Sequence, residues 1–115
     1  MGAHVHTIRI DFNHVYFDAE ERFVDSIDYR PAVVRVQPGD GVQWISNYNL
    51  KVCFHKGTPF ARIQIETNAE VPSVPEPVLR SAEKRGYHYN VHGAVVVGGQ
   101  MLFFGDPGCP ELIVE

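Results

Sequence analysis

The stretch VVRVQPGDGVQW, residues 33–44, decides the fold of this chain. Its opening residues are β-branched apart from one arginine, and Val42 and Trp44 later alternate with polar residues, as in a half-buried strand. The residues between them, Pro38-Gly39-Asp40-Gly41, form a strong turn signal. The stretch therefore predicts two strands, over residues 32–37 and 42–46, joined by a tight turn.

Short strand patterns punctuated by glycine and proline recur along the rest of the chain. They predict further strands over residues 4–12, 50–55, 62–66, 87–92, 95–97, 101–104 and 111–114, with Gly98-Gly99 as a hairpin turn. Residues 13–30 show no clear alternation and predict a short helical turn or an irregular connection. Three prolines in residues 71–77 predict an extended surface loop or an edge strand. Together these patterns predict one all-β domain over residues 1–115, a sandwich or barrel.

Composition excludes several classes of protein. Hydrophobic residues make up 44% of the 115, which argues against disorder, and the net charge of −4 comes with no basic run of the kind that binds nucleic acid. No apolar run of about 18 residues predicts a membrane span. The N-terminal stretch lacks a signal-peptide pattern, which leaves the cytosol, or export with a signal already removed, as the compartment. Cys53 and Cys109 match no metal-binding spacing, and the sequence leaves open whether they pair.

The order of features around the deciding stretch resembles the cupredoxin (plastocyanin- and azurin-like) superfamily. In that family an aromatic residue and a proline lead into a V-x-V strand, followed by PGD, V-x-W and an asparagine. The corresponding residues here are Tyr29, Pro31, Val34-Arg35-Val36, Pro38-Gly39-Asp40, Val42-Gln43-Trp44 and Asn47. Residues 86–91 and 112–114 resemble the family's penultimate and closing strands. The resemblance implies a Greek-key β-sandwich of about seven or eight strands.

The resemblance also implies where a type 1 copper site would lie. Such a site needs two histidines, a cysteine and usually a methionine. The family's first histidine falls near Val52, Cys53 or Phe54, its cysteine at Val91 and its second histidine at Ala94. Met101 comes late for a short ligand loop, and His55 one or more positions late for the first histidine. The copper ligands are therefore missing from these positions, and no type 1 copper site is expected.

Strand alternation assigns two faces to residues 87–92. The family register places Tyr87, Tyr89 and Val91 inward, and His88, Asn90 and His92 outward. We therefore expect Val91 to be buried and His92 to be exposed.

Histidines on strand faces support an alternative in which the protein binds metal. His4 and His6 share one face of a strand, as do His88 and His92. If those strands are neighbours, the imidazoles could gather and bind copper or zinc, for copper handling or electron transfer.

The favoured interpretation is a non-catalytic binding module. A rigid sandwich without a metal centre still presents loops suited to recognition. The candidate interaction residues are Asn47, Tyr48, Asn49, His55, Phe60, Val95, Val97, Met101 and Phe103. The partner would be a protein or a small ligand, and edge strands also make a homo-oligomer possible. An enzyme with an unrecognised site is a weaker alternative, because no nucleophile stands with a base and an orienting group.

Overall fold

The computed structural model describes residues 4–17, 22–104 and 110–115, with every side chain except those of residues 16, 17, 22–25 and 97. Within these residues all regular structure is β-strand, with no helix, so the predicted all-β class is confirmed. The eleven strands of the described residues are β1 (Val5–Phe17), β2 (Arg22–Arg30), β3 (Val33–Val36), β4 (Gly41–Ser46), β5 (Asn49–Cys53), β6 (Gln64–Thr67), β7 (Glu76–Pro77), β8 (Gly86–His88), β9 (Asn90–Val97), β10 (Gln100–Phe104) and β11 (Glu111–Val114).

The strands form three sheets, which combine pairs of consecutive strands with pairs that lie far apart in sequence. Their orders are β2-β1-β4-β7, β10-β9-β5-β6 and β3-β11-β8. Two pairs are parallel, β1 with β4 and β3 with β11, and the remaining pairs are antiparallel. Parallel neighbours require crossover connections rather than hairpins. The arrangement is consistent with a β-sandwich. The described residues contain no helix long and apolar enough to cross a membrane.

The predicted turn between β3 and β4 is held by Asp40. Its carboxylate accepts the backbone N–H of Gln37 at 3.0 Å and lies 2.9 Å from Nε2 of His6 in β1. Gly39 takes a φ of +94°, which glycine adopts without a steric cost. Burial raises the pKa of Asp40, but hydrogen bonds from His6 and the backbone outweigh it, so the pKa lies below its usual value. The turn thereby also anchors the start of β1.

One hydrophobic core unites the three sheets. At its centre Trp44 lies 6.2 Å from Phe54, 5.9 Å from Phe60 and 5.8 Å from Tyr89, measured between ring centroids and mostly edge-to-face. The predicted alternation of the first strand holds, because Ile8, Ile10 and Phe12 are all buried. The buried aliphatic residues around these rings are Ile8, Ile10, Val34, Val36, Val42, Leu50, Val52, Ile65, Val78, Val91, Leu112 and Val114.

Residues 13–30 depart from the sequence prediction. In place of a helical turn or irregular connection, β1 runs on to Phe17 and pairs antiparallel with β2, from Arg9 opposite Arg30 to Phe17 opposite Arg22. Polar side chains stabilise this pairing on its exposed face, where Asn13 Nδ2 donates to Ser26 Oγ at 3.2 Å and to Asp28 Oδ2 at 3.1 Å. Such polar cross-strand pairs leave no alternation for sequence analysis to detect.

The strand count is also higher than the expected seven or eight. The extra strands among the described residues are β2, the two-residue β7, and a division of the predicted 87–92 strand between β8 and β9. Conversely, the strand predicted over residues 95–97 is the end of β9. The proline-rich segment behaves as predicted, since β7 lies at the edge of its sheet beside β4.

Candidate binding surface

The sheet β10-β9-β5-β6 has one side in the core and the other side exposed, and we call the exposed side the outer face. Its rows follow from the strand register. Met101 lies opposite Val96. In the next row Phe103 lies opposite Ala94, which in turn pairs with Asn49. In a third row His92 lies opposite Lys51, which in turn pairs with Glu66. Because successive side chains alternate, the residues between them, such as Leu50, Val52, Val91 and Phe104, point into the core.

Three large apolar side chains are exposed together on the outer face. Val96 is 58% exposed, Met101 53% and Phe103 48%. All three belong to the β9–β10 hairpin, and Val96 and Met101 are directly opposite each other. Isolated exposed apolar residues are ordinary, whereas neighbouring ones that form a contiguous patch make this face a candidate interaction surface.

Charged side chains border these apolar residues. Lys51 Nζ lies 5.9 Å from the centroid of the Phe103 ring, within the range of a cation–π contact. Within the described residues no carboxylate lies within 4.0 Å of this ammonium group. Glu66, opposite Lys51, instead accepts a hydrogen bond from Gln64 Nε2 at 2.7 Å. Lys51 is therefore a cation without a carboxylate partner in the described residues.

Two shallow depressions lie on the outer face. One has a volume of about 160 Å³ and is lined by residues that include Asn49, Lys51, Asn68 and Phe103. The other, of about 210 Å³, lies between Lys51, His92 and Phe103. Pockets that enclose a whole small molecule usually measure roughly 300–1,000 Å³. These depressions suit one or two side chains of a larger partner.

At the interior end of the same sheet, two of the positions at which the cupredoxin resemblance implies copper ligands carry aliphatic side chains. Val52 and Val91 are cross-strand partners in β5 and β9, and their exposed fractions are 0% and 1%. Ala94 lies on the opposite side of the sheet, in the outer-face row of Phe103. The prediction that Val91 is buried is confirmed. His92 is half-buried instead of exposed, because it sits among Lys51 and Phe103.

The aromatic centre of the core contains two polar atoms without a conventional partner. Tyr89 Oη and Trp44 Nε1 are buried, and neither makes a hydrogen bond within the described residues. Burial strongly raises the pKa of Tyr89, and the side chain of Trp44 offsets only part of that effect. The tyrosine hydroxyl therefore stays protonated.

The four histidines of the metal-binding alternative lie on three different sheets. His4 and His6 are at the start of β1, with ring centroids 6.4 Å apart, and His6 is paired with Asp40. His88, in β8, is 3.4 Å from Glu111 Oε2, while His92 belongs to β9 on another sheet. Across the described ranges no three or more His, Cys, Asp or Glu side chains are grouped so that they could hold a metal ion.

The predicted interaction residues of the β9–β10 hairpin divide between surface and core. Met101 and Phe103 are exposed on the outer face, whereas Val95 is partly buried and packs against the core. The side chain of Val97 is outside the described residues.

The predicted interaction residues near β4 and β5 have mainly structural contacts. Asn47 binds the backbone of Phe12 through both of its amide atoms, at 2.9 and 3.0 Å. Tyr48 packs edge-on against Phe104 with centroids 4.9 Å apart. Asn49 accepts the N–H of Ala69 at 2.9 Å but also borders the outer face.

Two further predicted residues follow β5. His55, just beyond the end of β5, is exposed. Phe60 was predicted to contact a partner, and this prediction is wrong, because its side chain is 2% exposed and lies in the core. The turn at residues 55–56 returns the chain so that the Phe60 ring packs 5.6 Å from that of Phe54.

Sequence analysis included Val96 only within the hairpin of residues 93–104, and it missed Lys51 and Glu66 as parts of the surface. Strand alternation could have predicted that Lys51 faces outward, because it lies between Leu50 and Val52, two residues of the core. The grouping of Lys51 and Glu66 with Phe103 depends on β9 lying between β5 and β10, which the sequence pattern does not specify.

Cys53 carries a free thiol that is buried beside Lys51 and Glu66, and burial raises its pKa. Its possible pairing with Cys109 is outside the described residues. A thiol kept protonated by burial is a poor nucleophile and a poor metal ligand.

Comparison with known proteins gives no family assignment. No protein-family model matches the chain, and no curated protein matches it significantly.

Proposed function

We propose that this protein is a non-catalytic binding module on a cupredoxin-like, Greek-key β-sandwich, and that it binds its partner through the outer face. The observation that carries the proposal is the group of exposed apolar side chains, Val96, Met101 and Phe103, on one rigid hairpin. A surface of this kind on an ordered scaffold is suited to recognition.

The Greek-key part of the proposal is supported by which strands are neighbours. β1 lies beside β4 and β3 beside β11, both in parallel. These pairs need connections that cross from one sheet to another, as in Greek-key sandwiches. The V-x-V, PGD and V-x-W segments occupy β3, the following turn and β4, in the order that the cupredoxin resemblance implies.

The absence of a type 1 copper site is supported by Val52 and Val91. Val91 occupies the position at which the resemblance implies the cysteine. Val52 is one of the three positions, with Cys53 and Phe54, near which the resemblance implies the first histidine. The two valines are buried cross-strand partners. Aliphatic carbon cannot coordinate copper, which requires thiolate and imidazole ligands in such a site. The proposal therefore places the binding function on the outer face.

A selection of displayed peptides tests the proposal. A random peptide library would be selected on the immobilised protein, and each recovered peptide would then be tested on a variant carrying Met101→Ser and Phe103→Ser. The matched control carries Val33→Ser and Val74→Ser, which removes two apolar side chains of 49% and 80% exposure that lie outside the β10-β9-β5-β6 sheet.

We expect peptides that bind the wild type and the control but lose binding to the outer-face variant. An alanine-type truncation at a binding hot spot costs about 2 kcal/mol or more, which corresponds to a loss of roughly thirtyfold in affinity. Peptides that bind all three proteins equally, or a selection that recovers none, would contradict the proposal.

A further inference from the structure

We infer that the outer face binds an extended peptide segment in which a carboxylate side chain lies two residues from a large apolar side chain. This inference rests on the proposed function and adds the chemistry of the partner. Side chains at positions i and i+2 of an extended segment point to the same side, roughly 7 Å apart. Both could then contact one flat sheet surface.

The apolar half of the site is formed by Met101, Phe103 and Val96. The depression beside Met101 and Phe103 has a volume of about 160 Å³, enough for one aliphatic or aromatic side chain. Its opposite wall is polar and includes Lys51 and Glu66, so the apolar side chain would lie against Met101 and Phe103. Methionine adapts its shape to different partners and makes favourable contacts with aromatic rings. This half of the site would therefore accept any large apolar side chain.

The cationic half of the site is Lys51. Its ammonium group is 5.9 Å from the Phe103 centroid, and the described residues place no carboxylate within 4.0 Å of it. The second depression, between Lys51, His92 and Phe103, adjoins both halves. A carboxylate two residues from an apolar side chain would match this separation of charge and apolar surface.

His92 adds a pH-dependent contribution to the same half. Burial lowers its pKa, and the charges of Lys51 and His55 lower it further. The described charged groups nearby on β5 and β6 are Lys51 and Glu66, which lie in the same row of the sheet as His92. A bound carboxylate would offset the repulsion from Lys51 and His55, so binding should favour protonated His92.

The exposed apolar area favours a short peptide over a second copy of the chain. Three half-exposed apolar side chains offer on the order of 300 Å². A stable dimer usually buries about 800 Å² on each partner. A short segment needs far less surface.

The test is a titration of ¹⁵N-labelled protein with a synthetic peptide, followed by NMR. The probe is an acetylated, amidated hexapeptide that contains one leucine and one glutamate with a serine between them, and glycine and serine elsewhere. Two control peptides replace the glutamate by lysine or the leucine by serine. The protein variants are Lys51→Met and, as its matched control, Lys84→Met, which removes an exposed lysine elsewhere.

We expect backbone shifts confined to β5, β9 and β10, with an affinity about threefold or more above that for either control peptide, the range of one exposed ion pair. Lys51→Met should abolish the preference for glutamate over lysine, and Lys84→Met should keep it. Lowering the pH from about 7.5 to about 5.5, where glutamate remains ionised, should strengthen binding to wild type but not to His92→Gln.

The inference is overturned if the probe does not bind at about 1 mM, the weak end of specific recognition. It is also overturned if the lysine peptide binds equally well, if the shifts lie elsewhere, or if outer-face shifts depend on protein concentration, which would identify a second copy as the occupant. These failures are distinct from failure of the proposed function, because the peptide selection would still recover outer-face binders that lack the acidic–apolar pair.

Discussion

At the scale of single residues, Tyr87 and Tyr89 differ in what their buried hydroxyl groups contact. Tyr87 Oη donates a hydrogen bond to the carbonyl oxygen of Glu83 at 2.8 Å, whereas Tyr89 Oη has no hydrogen bond within the described residues. Removing a satisfied hydroxyl loses about 1 kcal/mol, and removing an unsatisfied buried one costs little or stabilises.

The variants Tyr87→Phe and Tyr89→Phe should therefore differ in their free energies of unfolding, measured by urea denaturation. We expect Tyr87→Phe to lower the free energy of unfolding by about 1 kcal/mol and Tyr89→Phe to leave it unchanged or raise it by up to about 1 kcal/mol. Each variant serves as the control for the other, since both remove one oxygen from a buried ring. A larger loss for Tyr89→Phe would show that its hydroxyl has a partner.

Asn47 gives a second prediction at this scale. Its Oδ1 accepts the N–H of Phe12 and its Nδ2 donates to the Phe12 carbonyl oxygen, so it joins the β4–β5 connection to β1. Asn47→Ala removes both bonds, and we expect a loss of about 1–3 kcal/mol in the free energy of unfolding, measured by urea denaturation. Asn68→Ala, at an exposed position, should change it by less than about 0.5 kcal/mol. Equal effects would mean that the Asn47 bonds contribute nothing.

Sequence reasoning at this scale succeeded for residues whose environment follows from alternation. Val91 is buried as predicted. His92 and Phe60 depended on contacts from other parts of the chain: Lys51 and Phe103 partly cover His92, and Phe54 and Trp44 enclose Phe60. Phe60 lies beyond the end of a strand, so side-chain alternation does not predict whether it faces the core or solvent.

At the scale of secondary-structure elements, the β9–β10 hairpin depends on a close approach at Gly93. Gly93 lies opposite Phe104, and a Cβ added there would be 2.4 Å from the Phe104 ring. The buried ring cannot retreat without displacing Phe12 and Tyr48, whose ring centroids are 5.2 and 4.9 Å away. The hairpin that carries the outer face therefore requires glycine at this position.

We expect Gly93→Ala to lower the free energy of unfolding by about 1–3 kcal/mol, as for other overpacked cores. The smaller side chain of Phe104→Leu should reduce that cost in the double variant, although Phe104→Leu alone destabilises. A double-mutant cycle in urea measures this coupling. If the two effects simply add, the close contact does not limit the hairpin.

The sequence predicted most elements because their strands alternate and end at glycine or proline. The turn at Gly98-Gly99 is an example, since both residues have positive φ, 59° and 78°. The sequence did not predict the pairing of β1 with β2, because its exposed face carries paired polar side chains, such as Asn13 and Asp28. Polar residues of this kind are typical of a loop in sequence. The sequence also predicted one strand across Tyr89, whereas the chain passes at this residue from β8 in one sheet to β9 in another.

At the scale of the whole molecule, the sequence predicted the class of fold but not which strands are neighbours. The outer face needs Phe103 of β10, His92 of β9 and Lys51 of β5 side by side, and these residues are brought together only by the strand order. The same order places Val52 opposite Val91 inside the sandwich.

The proposed function depends on the claim that an aliphatic side chain, Val91, stands at the buried position where the cupredoxin resemblance implies the copper-binding cysteine. The most direct measurement is a titration of metal-free protein with Cu(II), followed by visible absorption, with Cys53→Ala as the control for a thiolate contributed by that residue. We predict no intense visible band for either protein, because no thiolate lies at the Val91 position. An intense band in the wild-type protein, from copper bound to thiolate and imidazole, would contradict the claim.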